Sequence, residues 1–385
     1  MCIIGILASM IMSCSKPKGE SDASEFYDLT SYEQGTISDV FDSVEVVPLL
    51  FEQDTYPDRP HDFEVSDGKV YIKDYQPFLH VFSANTGHYI SCSKARYGRG
   101  PGEFTTMTGF IINPFSKKIE VLTYTRMYSF DDSFEWSRTV NIPGEIGNSS
   151  SLVYDKGYAL SDSKYIIADC NVTKDPYTLI LYDAEKEEAL ASWNYYDDVI
   201  CPVHMITRCF YTMPDGEILY TPGVFTHYIY SIDDDRKGMH PKMEFRYDTD
   251  VMSDTTIKMI RGNQDKIDEL YRSTTIAFPM RQLVNSRIVM TMMKKGDLTT
   301  MYTIVSDRKT GKNIRIDHYD SGKQKYKMPL MKYIDENYCY LIDTKEFVMN
   351  NPDILMDKAD RAEELLSKID DEDFVMVKYR IKKPS

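Results

Sequence analysis

The sequence predicts an all-β protein, a six-bladed β-propeller with short helical insertions and a ring closed by strands from its N- and C-terminal parts. Hairpin signals recur along the body, and their turns repeat at a nearly constant interval. The first is Phe63-Glu64-Val65-Ser66-Asp67-Gly68-Lys69-Val70-Tyr71-Ile72, two alternating runs around Asp-Gly, a pair that tolerates the positive φ of a tight hairpin turn. A third run, Leu79–Phe82, and a fourth, His88–Ile90, make a four-stranded unit.

Comparable hairpins open at Ile111–Val121, Tyr158–Ile167, Phe210–Tyr220, Gln282–Met290 and Met331–Ile342, each of the first four followed by a further strand. The turns near Asp67, Ser116, Asp162, Asp215, Asn285 and Asp335 are spaced by 49, 46, 53, 70 and 50 residues. Four short strands at such a period are the mark of propeller blades. The long interval holds Asp254–Ser273, polar with isoleucine and leucine at helical spacing, and predicts a helical insertion between blades four and five. Asp353–Ile369 predicts a second one, with Leu355, Ala362, Leu365, Leu366 and Ile369 on one side, interrupting blade six before a last strand, Phe374–Lys382.

Composition narrows the function classes. The chain has 385 residues, 45 Lys+Arg against 60 Asp+Glu and a net charge of −15, which argues against nucleic acid as a partner, because phosphate neutralisation needs basic side chains. Cys2–Met12 is a short, largely apolar run, too short to span a bilayer and close to the core of a signal peptide. Ser13-Cys14 follows it and resembles a lipobox, which implies cleavage before Cys14 and lipidation of its thiol. The organisation expected is therefore a signal peptide over 1–13, a polar tether over 14–43 rich in Ser, Glu, Asp and Gly, and the propeller over 44–385.

Tyr97-Gly98-Arg99-Gly100-Pro101-Gly102-Glu103-Phe104 closely resembles the Gly-x-Gly-Pro-Gly-Glu-Phe/Tyr stretch between the first two blades of the six-bladed β-propeller lipoproteins of Bacteroidetes. Val44–Leu49 resembles the opening strand of that family and Val375–Lys382 its closing strand, so the likeness spans residues 44–382. It implies a lipid-anchored protein of the cell envelope, at the outer membrane, with its periplasmic or surface face left open. Because an open ring would expose two sheet edges, Val44–Leu49 and Phe374–Lys382 are expected to pair within one blade.

Signatures of chemistry are sparse. The Gly98–Phe104 loop lacks the Gly-Lys-Ser/Thr ending of a nucleotide cradle. As a connector from an outer strand to the next inner one it is expected to reach the channel mouth, which makes Arg96, Arg99 and Glu103 the candidate ligand-binding residues. Cys201-x2-His204-x4-Cys209 lacks the second ligand pair of a closed zinc site, and no metal site is expected. Cys92, Cys170, Cys201, Cys209 and Cys339 show no disulfide framework and read as buried apolar side chains. Asp233–Asp235 and Asp370–Asp373 lack the alternating ladder of a calcium loop and read as solvated turns. No cofactor is expected, with a calcium ion in the channel left open. Tyrosine is abundant at 29 residues, which suits half-exposed strands and also suits glycan or peptide binding. The function expected is a lipid-anchored binding or scaffold module for a glycan, peptide or protein. The alternative is a hydrolase or lyase using channel carboxylates, with or without calcium.

Overall fold

The computed structural model describes residues 23–383 apart from 52–55, 144, 147–148, 151–153, 170–177, 195–207, 223–226, 234–237, most of 248–276, 296–300, 321–324, 327 and 357–358. Six antiparallel sheets follow one another around a central axis. Blade one is Pro60–Ser66, Lys69–Asp74, Leu79–Ser83 and Tyr89–Cys92; blade two is Gly109–Asn113, Lys118–Leu122, Arg126–Phe130 and Trp136–Asn141. Blade three is Tyr154–Ala159, Lys164–Asp169, Thr178–Asp183 and Glu188–Asn194. Blade four is Phe210–Thr212, Ile218–Tyr220, Tyr228–Ile232 and Met239–Arg246; blade five is Ala277–Val284, Ile288–Lys295, Tyr302–Asp307 and Asn313–Asp317. In each, the first strand is innermost. All six turns found in the sequence join a first strand to a second; at the first of them Asp67 and Gly68 have φ of 49° and 73°, as the Asp-Gly signal requires.

Blade six is assembled from both parts of the chain. Tyr333–Ile334, Tyr338–Thr344 and Phe374–Ile381 supply its inner three strands, and Phe41–Pro48 is its outermost. Val44 lies opposite Tyr379, Val46 opposite Val377 and Pro48 opposite Val375, which bears out the expected pairing. Ala359–Leu366 sits between the second and third strands, within the stretch expected there, and a further helix, Lys345–Asn350, precedes it; Val348, Ala362 and Leu366 are buried, while Leu365 faces solvent. The other expected insertion, Asp254–Ser273, lies mostly outside the described residues.

The tether expected over 14–43 is corrected by the structure from Ser24 onward. Glu25–Asp28 pairs parallel with the outermost strand of blade four, and Glu33–Gln34 pairs parallel with that of blade five. A capped turn, Ile37–Val40, then delivers the chain to blade six; the Asp39 carboxylate accepts from the Thr36 amide at 2.7 Å. This strap is held because polar Glu25 finds a partially buried partner, Arg308, at 2.6 Å, and because Tyr27 and Leu29 bury their side chains. Its polar composition resembles a linker, yet its charges are matched across space rather than along the chain.

Tyrosine turns out to be an inter-blade fastener. Tyr154, Tyr165, Tyr182, Tyr211, Tyr220, Tyr230, Tyr333 and Tyr379 are among the largest fully buried side chains. The Tyr182 hydroxyl donates to Asn141 O of blade two, Tyr211 to Gln282 O of blade five, and Tyr333 to Val65 O of blade one. A phenol fills the apolar space between two packed sheets and still places its hydroxyl on the neighbour's backbone, worth about 1 kcal/mol per bond. This accounts for the tyrosine excess better than half-exposed strands do.

Candidate functional site

The Gly-Pro-Gly loop does not reach the channel. The Arg96 guanidinium donates to Phe134 O at 2.6 Å and pairs with Glu135 at 3.0 Å, both in the turn before the outermost strand of blade two. Phe104 packs on Phe130 and Tyr128. Gly102, at φ +71°, lies so close under the Trp136 ring that a Cβ would stand 2.4 Å from it. The Glu103 carboxylate accepts from the Gly100 amide at 2.7 Å and covers Gly98, where a Cβ would meet it at 2.1 Å. Arg99 is exposed. The motif thus folds a loop back on itself and wedges it between blades one and two: glycines because the carboxylate and the indole occupy the space of a side chain, and glutamate because it closes the loop. The expectation that Arg96, Arg99 and Glu103 line the channel mouth is not met, since none of them lines the channel cavity. Glu103→Ala should lower stability by about 1–2 kcal/mol, the scale of a lost charge-assisted hydrogen bond, with Arg99→Ala leaving the denaturation midpoint unchanged. A ligand whose affinity responds to Arg99→Ala alone would place a contact on this loop.

The channel itself carries the charged groups. The innermost strands of blades one to four and Tyr333 of blade six surround a cavity of about 220 Å³, with Asp62, Glu64, Lys156, Tyr158, Arg208 and Thr212 among its polar lining. Blade three can approach blade two closely because residue 157 is glycine: a Cβ there would stand 2.3 Å from Ile111 Cδ1. That approach brings Lys156 across to Asp62 of blade one, and the two form an ion pair with little solvent access. Burial opposes the charge on Lys156, but the Asp62 and Asp155 carboxylates outweigh it and hold its pKa above the ordinary lysine value.

Arg208, just before the innermost strand of blade four, spans the channel to blade six. Its Nε donates to Phe210 O at 2.8 Å and Nη1 to Ile334 O at 3.1 Å. The guanidinium lies 4.7 Å from the Tyr333 ring centre and 5.3 Å from that of Tyr211, a cation held between two aromatic rings. Two of its nitrogens are thereby engaged, and Nη2 takes no hydrogen bond among the described residues.

Glu64 is different. Among the described residues its carboxylate has neither a hydrogen bond nor an ion pair. Burial pushes its pKa up to about 6, against the opposing pull of Arg208. A carboxyl raised in the folded state loses stability as pH climbs from its unfolded value through 6, because the folded protein then gives up a proton it holds more tightly. Each tenfold difference in proton affinity between the folded and unfolded chain is worth about 1.4 kcal/mol. Glu64→Gln should accordingly raise stability by about 1–2 kcal/mol at pH 7.5 and change nothing at pH 4. Thermal melts of both proteins at the two pH values check this; equal differences at both would show that Glu64 is not desolvated.

Cys209 is a free, buried thiol, and Cys201 and His204 lie outside the described residues. Asp371 pairs with Lys345 at 3.1 Å, and Asp373 accepts from the Asp370 amide at 2.8 Å. Among the described residues no three His, Cys, Asp or Glu side chains gather where they could hold a metal ion.

A family model described as a 6-bladed beta-propeller, DUF5128, matches residues 15–342, most of the chain and five full blades of the ring just described. The chain belongs to this family. No curated protein matches the sequence. Among solved structures, this DUF5128 propeller is similar to a Bacteroides fragilis protein whose name marks it as a candidate for export, with TM-score 0.66, 13% identity, and coverage of 93% of this chain and 99% of the other. It is also similar to a DUF4221 family member from Bacteroides vulgatus, with TM-score 0.52, 13% identity, and coverage of 90% and 98%. At such identity the likeness establishes the fold alone.

Proposed function

We propose that this DUF5128 propeller is a ligand-binding module of the cell envelope, held to a membrane by a lipid on Cys14, and that its ligand enters the central channel at Glu64 and Arg208. The observation that carries the reading is the Glu64 carboxylate: in the channel wall, without a hydrogen bond or ion pair among the described residues, and facing the charge of Arg208, whose Nη2 donates no hydrogen bond among them. Such a group costs stability at neutral pH, and carboxyls perturbed in this way concentrate at binding and catalytic sites. The name of the Bacteroides fragilis neighbour supports export. The described chain enters the fold beside Lys242, where Ser24 donates to Lys242 O, so a lipid on Cys14, ten residues earlier, would keep this edge of blade four within ~35 Å of its membrane at full extension.

The test is a thermal-shift screen of the chain beginning at Ser15 against neutral sugars, amino acids, short peptides and divalent cations. A ligand that raises the melting temperature of the wild type, and binds Glu64→Gln at least tenfold more weakly by titration, is the expected result. A hit that Glu64→Gln and Arg208→Met bind as well as wild type does would place the ligand elsewhere. For the anchor, Cys14→Ala should move the protein from the membrane to the soluble fraction, and absence of label after growth on labelled palmitate would refute it.

The hydrolase or lyase reading rests on the same carboxyl, because a pKa of about 6 suits a general acid or base near neutral pH. Its second carboxylate would be Asp62, which Lys156 already neutralises. Turnover of a ligand found in the screen, abolished by Glu64→Gln with binding retained, separates catalysis from binding.

A further inference from the structure

A groove of about 690 Å³ runs along the seam of blades three and four and shares Tyr158, Ala159 and Thr212 with the wall of the channel cavity. The Tyr158 hydroxyl and Thr212 Oγ1 are hydrogen-bonded at 2.6 Å where the two spaces meet. The groove continues over Leu160, Ile218 and Ile232, with Asp215, Glu217 and Asp233 among its acids, to the ring of Phe115. Phe115 belongs to the first turn of blade two and is 55% exposed. That turn is rigid: the Asn113 side-chain carbonyl accepts from the amides of Phe115 and Ser116 at 2.9 and 3.1 Å, and Asn113 Nδ2 is itself bonded to Ser161 O at 3.0 Å. An apolar ring presented on a fixed turn beside a polar groove costs little ordering entropy when a ligand covers it.

We propose that cavity and groove are one continuous site for a neutral oligosaccharide, its end unit in the channel and the following units along the blade three–four seam, with a sugar face on Phe115. The inference rests on the channel reading above. The charges argue for a neutral occupant rich in both donors and acceptors. In the cavity Asp62 is matched by Lys156, and Glu64 is offset by Arg208, so neither an anion nor a cation is favoured. In the groove Glu217 is tied to Lys242 at 3.1 Å, Asp233 is hydrogen-bonded to the His240 ring at 3.0 Å, and Asp215, with no ion pair among the described residues, offers its oxygens to ligand hydroxyls. What is left for a ligand is a set of hydroxyls and carboxylate oxygens that match vicinal hydroxyl groups, and a flat ring that matches the C–H face of a pyranose. An extended basic peptide is the competing occupant.

The experiment titrates the chain beginning at Ser15 with gluco-, galacto- and manno-oligosaccharides of increasing length and with a library of extended basic peptides. Affinity should rise at least tenfold from one unit to several in one sugar series. Phe115→Ala should remove that gain while leaving single-unit binding unchanged, and Phe115→Trp should keep it; the melting temperatures of both variants report that the fold is intact. A single sugar unit that binds with no gain from added units, or a gain that Phe115→Ala leaves in place, overturns the extended site and leaves the channel reading standing. Binding of peptides and not of sugars overturns the oligosaccharide assignment. No binding of either, together with no small-molecule hit in the thermal-shift screen, removes the channel reading itself.

Discussion

A chain lacking residues 1–50 will not form a stable ring, whereas one lacking residues 1–34 will fold with reduced stability. The longer deletion removes the outermost strand of blade six and the buried side chains of Tyr27, Leu29, Ile37, Val40, Phe41, Val44, Val47 and Leu49. At about 1.5–3 kcal/mol for each buried apolar side chain, the loss is at least ~12 kcal/mol, comparable to the whole stability of a typical domain. It also leaves Phe374–Ile381 as an exposed, strongly apolar edge, so aggregation should accompany the loss of structure. The shorter deletion keeps the closing strand and removes the strap on blades four and five. It buries less, and it strands Arg308, whose partner Glu25 is gone. About 3–6 kcal/mol is expected there. Circular dichroism and urea denaturation, each against a chain beginning at Ser15, distinguish the cases. A cooperative transition with an unchanged midpoint after the longer deletion would mean that the ring closes without Phe41–Pro48.

Lys156→Ala should destabilise the protein by about 3–5 kcal/mol, the usual cost of leaving one member of a buried ion pair alone. Asp62 would be stranded in the channel wall with one carboxylate oxygen, Oδ1, already without a hydrogen bond. The sign distinguishes this position from Glu64, where removing the charge is expected to help. Asp62→Asn in the Lys156→Ala background should recover a large part of the loss, because two neutral groups replace one unpaired charge. Denaturation midpoints of the two single variants and the double variant form the cycle that reads this coupling. Additive losses would show that the two side chains do not act as a pair, and that the channel is open to water at this level.

The blades were legible because hairpins are local objects. An alternating run, a turn with Asp, Asn, Ser or Gly, and a second run lie within about ten residues, and all six sequence-identified turns sit where the blades need them. The closing pair was legible too, since a ring demands a partner for its first and last strands and only one apolar segment at each end was unassigned. The Gly98–Phe104 motif was legible as a connector, yet its destination was not. Whether Arg96 points to the axis or outward depends on where Phe134 and Glu135 lie, and those belong to a turn 38 and 39 residues away.

The channel residues left a trace that was easy to misread. Asp62, Glu64, Lys156 and Arg208 fall within two residues of the start of the hairpins found at Phe63, Tyr158 and Phe210. In a half-solvated sheet such charges alternate with apolar residues and mean nothing. In the innermost strand of a propeller blade they face the axis, and charges there are the available signal. The innermost strand of blade two, Gly109–Asn113, has none, so the charges cluster on particular blades rather than ringing the channel.

Blade count, strand order within each blade and the pairing that closes the ring therefore follow from the amino-acid order, because period-two burial and turn chemistry act over a few residues and closure is a topological demand. Other features exist only once the blades are packed: the polar stretch from Ser24 becomes a strap, tyrosine hydroxyls fasten one blade to the next, and the conspicuous glycine motif is a wedge while the plain first strands hold the charged cavity. One cause is common to all three. A charge or hydroxyl is defined by the partner it meets, and here those partners, Arg308 for Glu25, Val65 O for Tyr333 and Asp62 for Lys156, lie on other blades, 94 to 283 residues away.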